Sequence, residues 1–343
     1  MIDWMTLRVP LNGLPDVIEQ RFRASLGMVH CSDSNGEILW RKPFLDLDAL
    51  RSDTVGLCWM VTRDSEREYL SIGASPASIE HGNNVFGSSD IRHCAGVVVG
   101  AAQRALDCIL PGADAWSCRR LDITENYLME SFREVKALLR ELMRTDSGRH
   151  KGSSGAGDTV LWNAGSDLRK GKAYHKGPQL VYLRKRSKVT VEDWQVNIAD
   201  RICRMELTLG SRWFRRLYDA GLSWLDLDDK RLSDEFIGYF GNMWGGKAEV
   251  ADMGRMLEEL EKVAPSKGQA LAAHRTWALI KSIGYQGARD SMPRATWFRH
   301  LKFLRASGLS DADLCAGNVL PFVRRTVSDA FIVRSWEEAR RAA

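Results

Sequence analysis

No stretch of the 343 residues approaches the roughly 20 uninterrupted apolar residues that a membrane span needs, and the most apolar run, around 95–102, is far too short. Seven cysteines occur, odd in number, scattered and never spaced Cys-x-x-Cys. That pattern argues against a disulfide framework or a zinc site and for a reducing compartment. The opening Met1-Ile2-Asp3-Trp4-Met5 carries an acid where a secretion signal needs a basic region, so a cytoplasmic protein with no membrane partner is expected. There is no Gly-x-x-x-x-Gly-Lys-Ser/Thr phosphate loop. Neither sign of charge dominates: 49 Lys and Arg stand against 44 Asp and Glu, a net +5 that does not by itself indicate a nucleic-acid partner. With 44% hydrophobic and 27% charged residues, the chain has the composition of an ordinary globular protein of about two domains.

One absence is local. Between residues 169 and 188 there is no acid, while Arg169, Lys170, Lys172, Lys176, Arg184, Lys185, Arg186 and Lys188 all fall there. Alternation of apolar and polar residues predicts strands over 5–11, 56–62, 68–72, 116–127 and 201–209, and a hairpin of 159–163 with 170–175. Apolar recurrence at three and four residues predicts helices over 90–110, 128–144 and 191–200. Residues 78–90 and 147–157 read as loops. After 211 strand signals vanish and the rest is expected to be helical. The pattern predicts an α+β fold with an antiparallel sheet over 1–215 and an α-helical domain over 216–343.

Three segments place polar groups on one face of a strand whose other face is apolar. In Arg120-Leu121-Asp122-Ile123-Thr124-Glu125-Asn126 the even-numbered residues share a face, and the same holds for Arg204, Glu206 and Thr208 and for Lys172, Tyr174 and Lys176. Carboxylates on neighbouring strands form a hard-oxygen site suited to Mg²⁺ or Mn²⁺. A tyrosine flanked by lysines has its phenolate favoured and suits nucleophilic attack on a phosphodiester. Plainer readings stand beside these: Arg-x-Asp and Arg-x-Glu as surface ion pairs, the tyrosine as packing, the lysines as a solvated face. Spacing alone does not choose between them.

These segments, in this order, resemble the gene II replication initiators of filamentous phages. The resemblance runs over about 1–215. It includes Met1-Ile2-Asp3, Leu7-Arg8-Val9-Pro10, Ala74-Ser75-Pro76-Ala77, Gly82-Asn83-Asn84-Val85-Phe86-Gly87 with Asp90 after it, Arg120-Leu121-Asp122, Thr159-Val160-Leu161-Trp162-Asn163, Ala173-Tyr174-His175-Lys176 and Arg204-Met205-Glu206. It implies a rolling-circle nickase-like catalytic domain that cuts the viral strand at a double-stranded origin, stays joined to the 5′-phosphate through a tyrosine, and later rejoins the displaced strand. By motif position Tyr174 is then the nucleophile, Lys176 its cationic helper, and Asp122 and Glu206 ligands of Mg²⁺ or Mn²⁺. The partners implied are origin DNA, double- and single-stranded, and a host helicase, single-strand-binding protein and polymerase in the bacterial cytoplasm. The chain departs from related nucleases in having no His-hydrophobic-His pair, which leaves a third metal ligand open among Glu125, Asn126 and His81. For the 82–90 loop the sequence offers a turn and no chemical role.

In the C-terminal part, 271–283 and 294–306 read as amphipathic helices joined from Gly284, resembling a helix-turn-helix unit. Phe298, Leu301 and Leu304 are expected inward, Arg294, Arg299 and Lys302 outward. With Arg169, Lys170, Lys172, Arg184 and Lys185 these are the candidate DNA contacts. An ordinary helical hairpin is the competing reading. For the whole chain the alternative is a DNA-binding regulator that cuts nothing. A tyrosine recombinase would instead surround its tyrosine with Arg and His and use no metal.

Overall fold

The structure is a computed structural model and describes residues 1–45, 56–64, 67–144, 152–154, 159–186, 189–244, 253–309, 314 and 331–342. Its centre is an antiparallel sheet. The strands are β1 (Ile2–Pro10), β4 (Cys58–Asp64), β5 (Arg67–Ala74), β6 (Ser117–Leu128), β7 (Gly152–Ser154), β8 (Thr159–Trp162), β9 (Arg169–His175) and β10 (Ile202–Leu209). They lie in the order β4-β5-β1-β6-β10-β9-β8-β7. β2 (Leu26–Ser32) and β3 (Ile38–Leu45) form a separate hairpin reached through helix α1 (Asp16–Ala24). Neither that hairpin nor α1 is anticipated from the sequence, and residues 152–154 are strand where a loop is expected. The expected loop positions 147–151 and 155–157 lie outside the described residues. The short helix α2 (Pro76–His81) follows β5.

Period-two alternation gives the sheet two unlike faces. Met5, Leu7, Leu121, Ile123, Met205 and Leu207 point into one core. That core is covered by α3 (Ile91–Leu106), α4 (Phe132–Arg144), α7 (Ser211–Asp219) and α8 (Asp229–Trp244), through residues such as Val98, Val135, Leu138, Phe214 and Phe240. α3 starts where Asp90 accepts the backbone N–H groups of Arg92 and His93, an N-cap that also draws its carboxyl below the ordinary range. In α4 Val135, Leu138, Leu139 and Leu142 recur at helical spacing and are buried, each worth about 1.5–3 kcal/mol. Gly171 is required on β9. A Cβ there would lie 2.5 Å from a ring carbon of Tyr239 on α8.

The opposite face carries the polar residues. Its far end is closed by a second apolar cluster: Val85, Phe86, Leu128, Leu180, Ile198, Ile202, Val333 and Ala339. Leu180 and Ile198 come from α5 (Lys176–Lys185) and α6 (Asp193–Ala199). Val333 and Ala339 come from β11 (Phe331–Val333) and α12 (Trp336–Ala342). β11 pairs antiparallel with β6, so strand structure does occur after 211, which corrects the expectation of a purely helical C-terminal part. Three residues carry too little alternation to announce a strand; the β6 edge beyond β1 supplies the partner.

The expected junction at 215/216 falls inside α7, and Trp224, Phe236, Tyr239 and Phe240 belong to the sheet's core. A separate core begins at Met256 and joins α9 (Met253–Val263), α10 (Lys267–Asp290) and α11 (Arg294–Ala306). α10 breaks at Gly284, whose φ of 79° suits glycine, and residues 285–290 are helical again before α11. On α11 the inward stripe is Trp297, His300, Leu301 and Leu304, while Phe298 is 42% exposed. Phe298 therefore does not point inward as its spacing suggests; Trp297 takes that place, and the ring of Phe298 lies beside Arg294. Among the described residues no helix is long and apolar enough to cross a membrane.

Candidate active site

β9, β10 and β6 are neighbours, with Arg204 opposite Tyr174 and Asn126, Glu206 opposite Lys172 and Thr124, and Thr208 opposite Asp122. This register gathers the side chains predicted to share a face. The Tyr174 hydroxyl donates to Glu206 Oε1 at 2.6 Å, and Lys172 Nζ lies 3.4 Å from Glu206 Oε2 and 4.0 Å from the Tyr174 ring centroid. Lys176, the first residue of α5, is fully buried, its Nζ donating to Asn84 Oδ1 at 2.9 Å and Gln179 Oε1 at 2.8 Å. Asp122 is gripped through both oxygens by Arg120, at 2.9 and 2.6 Å.

Beneath them Arg204, with no exposed surface, holds the cluster together. Its guanidinium donates to Asn126 Oδ1 (2.9 Å), the Asn84 carbonyl (2.6 Å), the Val85 carbonyl and Asp3 Oδ1 (3.4 Å). Asn84 Nδ2 donates to Asp3 Oδ1 at 2.8 Å. The 82–87 segment thus enters the polar cluster, where the sequence suggested only a turn. Asp3, Asn84 and the central place of Arg204 are what sequence reasoning missed, although all three residues lie in segments that carry the family resemblance. For Asn84, itself half-buried, the available signal is its place beside buried Asn83 in a polar run of Gly and Asn.

Burial and neighbouring charge set the proton affinities. Burial, then the Glu206 charge, pushes the Tyr174 hydroxyl well up, so it rests protonated. Burial opposes ionisation of Glu206, yet Lys172, Arg204, the Tyr174 hydrogen bond and Lys176 outweigh it and hold the carboxyl below its ordinary value. Burial and the Arg204 charge push the Lys176 amine well down. Burial raises Asp3 and Asp122 against the pull of Arg204 and Arg120.

Carboxylate oxygens are the hard donors a divalent cation takes, and the two expected ligands can be placed relative to each other. Asp122 and Glu206 stand two register positions apart on adjacent strands, and each charge is felt by the other residues of the cluster, Asp3 included. Among the described residues no three His, Cys, Asp or Glu side chains converge on one point. Only Asp122 and Glu206 of the expected ligands stand together, and their oxygens are bonded to Arg120, Tyr174 and Lys172. None of the candidate third ligands joins them. Asn126 is spent on Arg204 and the Val85 carbonyl, Glu125 lies 3.9 Å from Arg334, and His81 is exposed at the end of α2. His175, on the opposite face from Tyr174, bonds the Asp200 carbonyl at 2.7 Å.

The acid-free stretch is divided by the fold. Lys170 and Lys172 lie on the cluster's side of β9, opposite Thr208 and Glu206. Arg169 pairs with Glu235 at 3.2 Å, and Arg184 pairs with Asp193 at 2.6 Å near exposed Lys185. Arg294, Arg299 and Lys302 are exposed together on α11.

Residues 1–227 match the family described as the N-terminal part of the phage replication-associated protein, the gene II protein. The chain belongs to that family. Comparison with whole proteins agrees: the replication-associated protein of this kind from Enterobacteria phage fd is 23% identical over 324 residues, 81% of this chain and 79% of the relative. The Salmonella phage IKe protein of the same name is 23% identical over 300 residues, 74% and 71% of the two chains. A solved rolling circle replication initiator protein from Geobacillus stearothermophilus aligns over 74% of this chain and 88% of its own at 11% identity. Its TM-score of 0.32 is too low to establish a shared fold. The family's matched span ends within the sheet-associated part and leaves α9, α10 and α11 outside it.

Proposed function

We propose that the chain is a rolling-circle replication initiator that nicks one strand of a phage origin by tyrosine transesterification and rejoins the displaced strand. The observation that carries this reading is the 2.6 Å hydrogen bond from the Tyr174 hydroxyl to an ionised Glu206, inside a cluster with two lysines against the tyrosine ring. Glu206 takes the phenolic proton as Tyr174 Oη forms its bond to phosphorus. The bond from phosphorus to the 3′-oxygen breaks, the 5′-phosphate stays on Tyr174, and the leaving oxygen takes a proton from Lys176 or from water. Lys172, at the outer edge of the cluster, faces the incoming phosphate. A Mg²⁺ or Mn²⁺ held by Asp122 and Glu206 would supply charge stabilisation at the phosphate oxygens. The phosphotyrosyl bond conserves the energy of the phosphodiester, so rejoining needs no nucleotide.

Origin recognition falls to α11, whose outward face presents Arg294, Arg299, Lys302 and Arg305 with no acid anywhere on the helix. Host helicase, single-strand-binding protein and polymerase, in the bacterial cytoplasm, complete the expected setting. The test is a nicking assay on supercoiled DNA carrying the origin of its own replicon, with Mg²⁺ and with chelator. A metal-dependent relaxed product with protein on the 5′ end, absent in Tyr174→Phe, is the expected result. Origin binding without any cut would instead identify a DNA-binding regulator.

A further inference from the structure

Resting on that reading, we infer that the C-terminal strap, residues 331–342, is a working part of the nicking centre, holding Asn84 between Asp3 and Lys176 through the 82–87 loop. The strap lies outside the span matched by the family and returns to the sheet only after the chain has passed through the helical core of α9–α11. It is docked firmly: β11 pairs with β6 at residues 126–128, Val333 is 1% exposed and Ala339 is fully buried.

The contacts run without a break from strap to site. The Trp336 ring meets Phe86 edge-on at 4.9 Å and 85°, and meets Trp194 of α6 at 5.4 Å. Phe86 and Val85 share an apolar cluster with Val333 and Ala339. Two residues before Phe86, Asn84 gives its amide to Asp3 and its oxygen to Lys176, while its carbonyl and that of Val85 are held by Arg204. Arg204 fixes the loop from beneath, and Trp336 closes it from the side. The loop's own bonds are few: Asn83 Oδ1 accepts from Val85 N–H, and Asn83 Nδ2 donates to the His81 carbonyl. A loop so poorly bonded internally depends on what packs against it. Asn84 is thus a positioning residue that acts through Lys176, and Trp336 positions Asn84.

The experiment uses the full chain and two readouts. Hydrogen exchange on Trp336→Ala, without DNA, is expected to show amides 82–87 exchanging at least about tenfold faster while β9 and β10 keep wild-type protection. Single-turnover cleavage by Trp336→Ala is expected to slow by about tenfold or more with DNA affinity unchanged within about twofold, since displacement of a group by a fraction of an ångström costs rate and not binding. Trp336→Phe, which keeps an aromatic edge against Phe86, is expected to restore the rate. In the Lys176→Met background, Asn84→Ala and Trp336→Ala are expected to slow cleavage no further. Unchanged loop exchange, unchanged cleavage, or additive losses in that background would overturn the inference while leaving the nickase reading intact. A wild-type chain that forms no adduct would overturn both.

Discussion

At the scale of the residue, the site is a balance of buried charges, and its signs can be tested. Glu206 is held below its ordinary value of 4.5, so its ionised form contributes stability that is full above that value and lost as pH falls through the lower folded value. The stability difference between wild type and Glu206→Gln, followed by urea denaturation, is expected to shrink on acidification below that point. Asp3 and Asp122 carry the opposite sign, because burial raises them. Arg204, bonded to four groups of the cluster, carries the largest share of its hydrogen bonds. Arg204→Leu takes a donor from Asp3, Asn126 Oδ1 and the Asn84 and Val85 carbonyls, of which Asp3 keeps Asn84 Nδ2 and Val85 keeps Asn126 Nδ2, and a destabilisation of about 3–5 kcal/mol is expected from the same measurement.

At the scale of the element, each part of the site is set by the neighbour it packs on. α5 begins against Asp200, where a Cβ on Gly177 would meet the Asp200 backbone at 2.6 Å, and this close approach puts Lys176 under the Tyr174 ring. α11 is settled by Trp297, Leu301 and Leu304 turned inward, which leaves its basic stripe with exposed Phe298 facing out. The triple substitution Arg294→Ala, Arg299→Ala and Lys302→Ala is expected to weaken binding to duplex origin DNA and to lower the salt slope by up to about 3. Binding measured as a function of salt checks this. Cleavage of a saturating single-stranded substrate is expected to be unaffected.

For the whole molecule, charge and core are distributed unevenly. Residues 253–309 hold ten Lys and Arg against four Asp and Glu, so the net +5 of the chain resides in the helical part and the remainder is close to neutral. That part also has its own core, sharing no residue with the sheet's core among the described residues. Calorimetry is expected to resolve two transitions, and Leu301→Ala, at about 2–5 kcal/mol, to lower only one of them. The chain leaves the sheet at α8 and returns to it as β11 and α12, so the helical part is tethered at both ends to the sheet that carries the polar cluster.

What the sequence determined by itself was whatever repeats along the chain. Alternation in 120–126 and 204–208 produced one polar face, and periodicity produced α3, α4 and α11, because side-chain direction follows from backbone geometry alone. Tyr174 and Lys172 were legible as one face for that reason, and Arg204, Glu206 and Thr208 as another; Lys176 reaches the cluster from the start of α5 and not by strand alternation. Only tertiary structure decided how the cluster works. Asp3 and Asn84 lie 201 and 120 residues from Arg204, and their meeting depends on a bulged β1 and on a loop held from behind by the strap. The three residues of β11 carry no periodicity of their own. They become a strand because the edge of β6 beyond β1 has backbone groups to pair, and buried backbone groups must be paired.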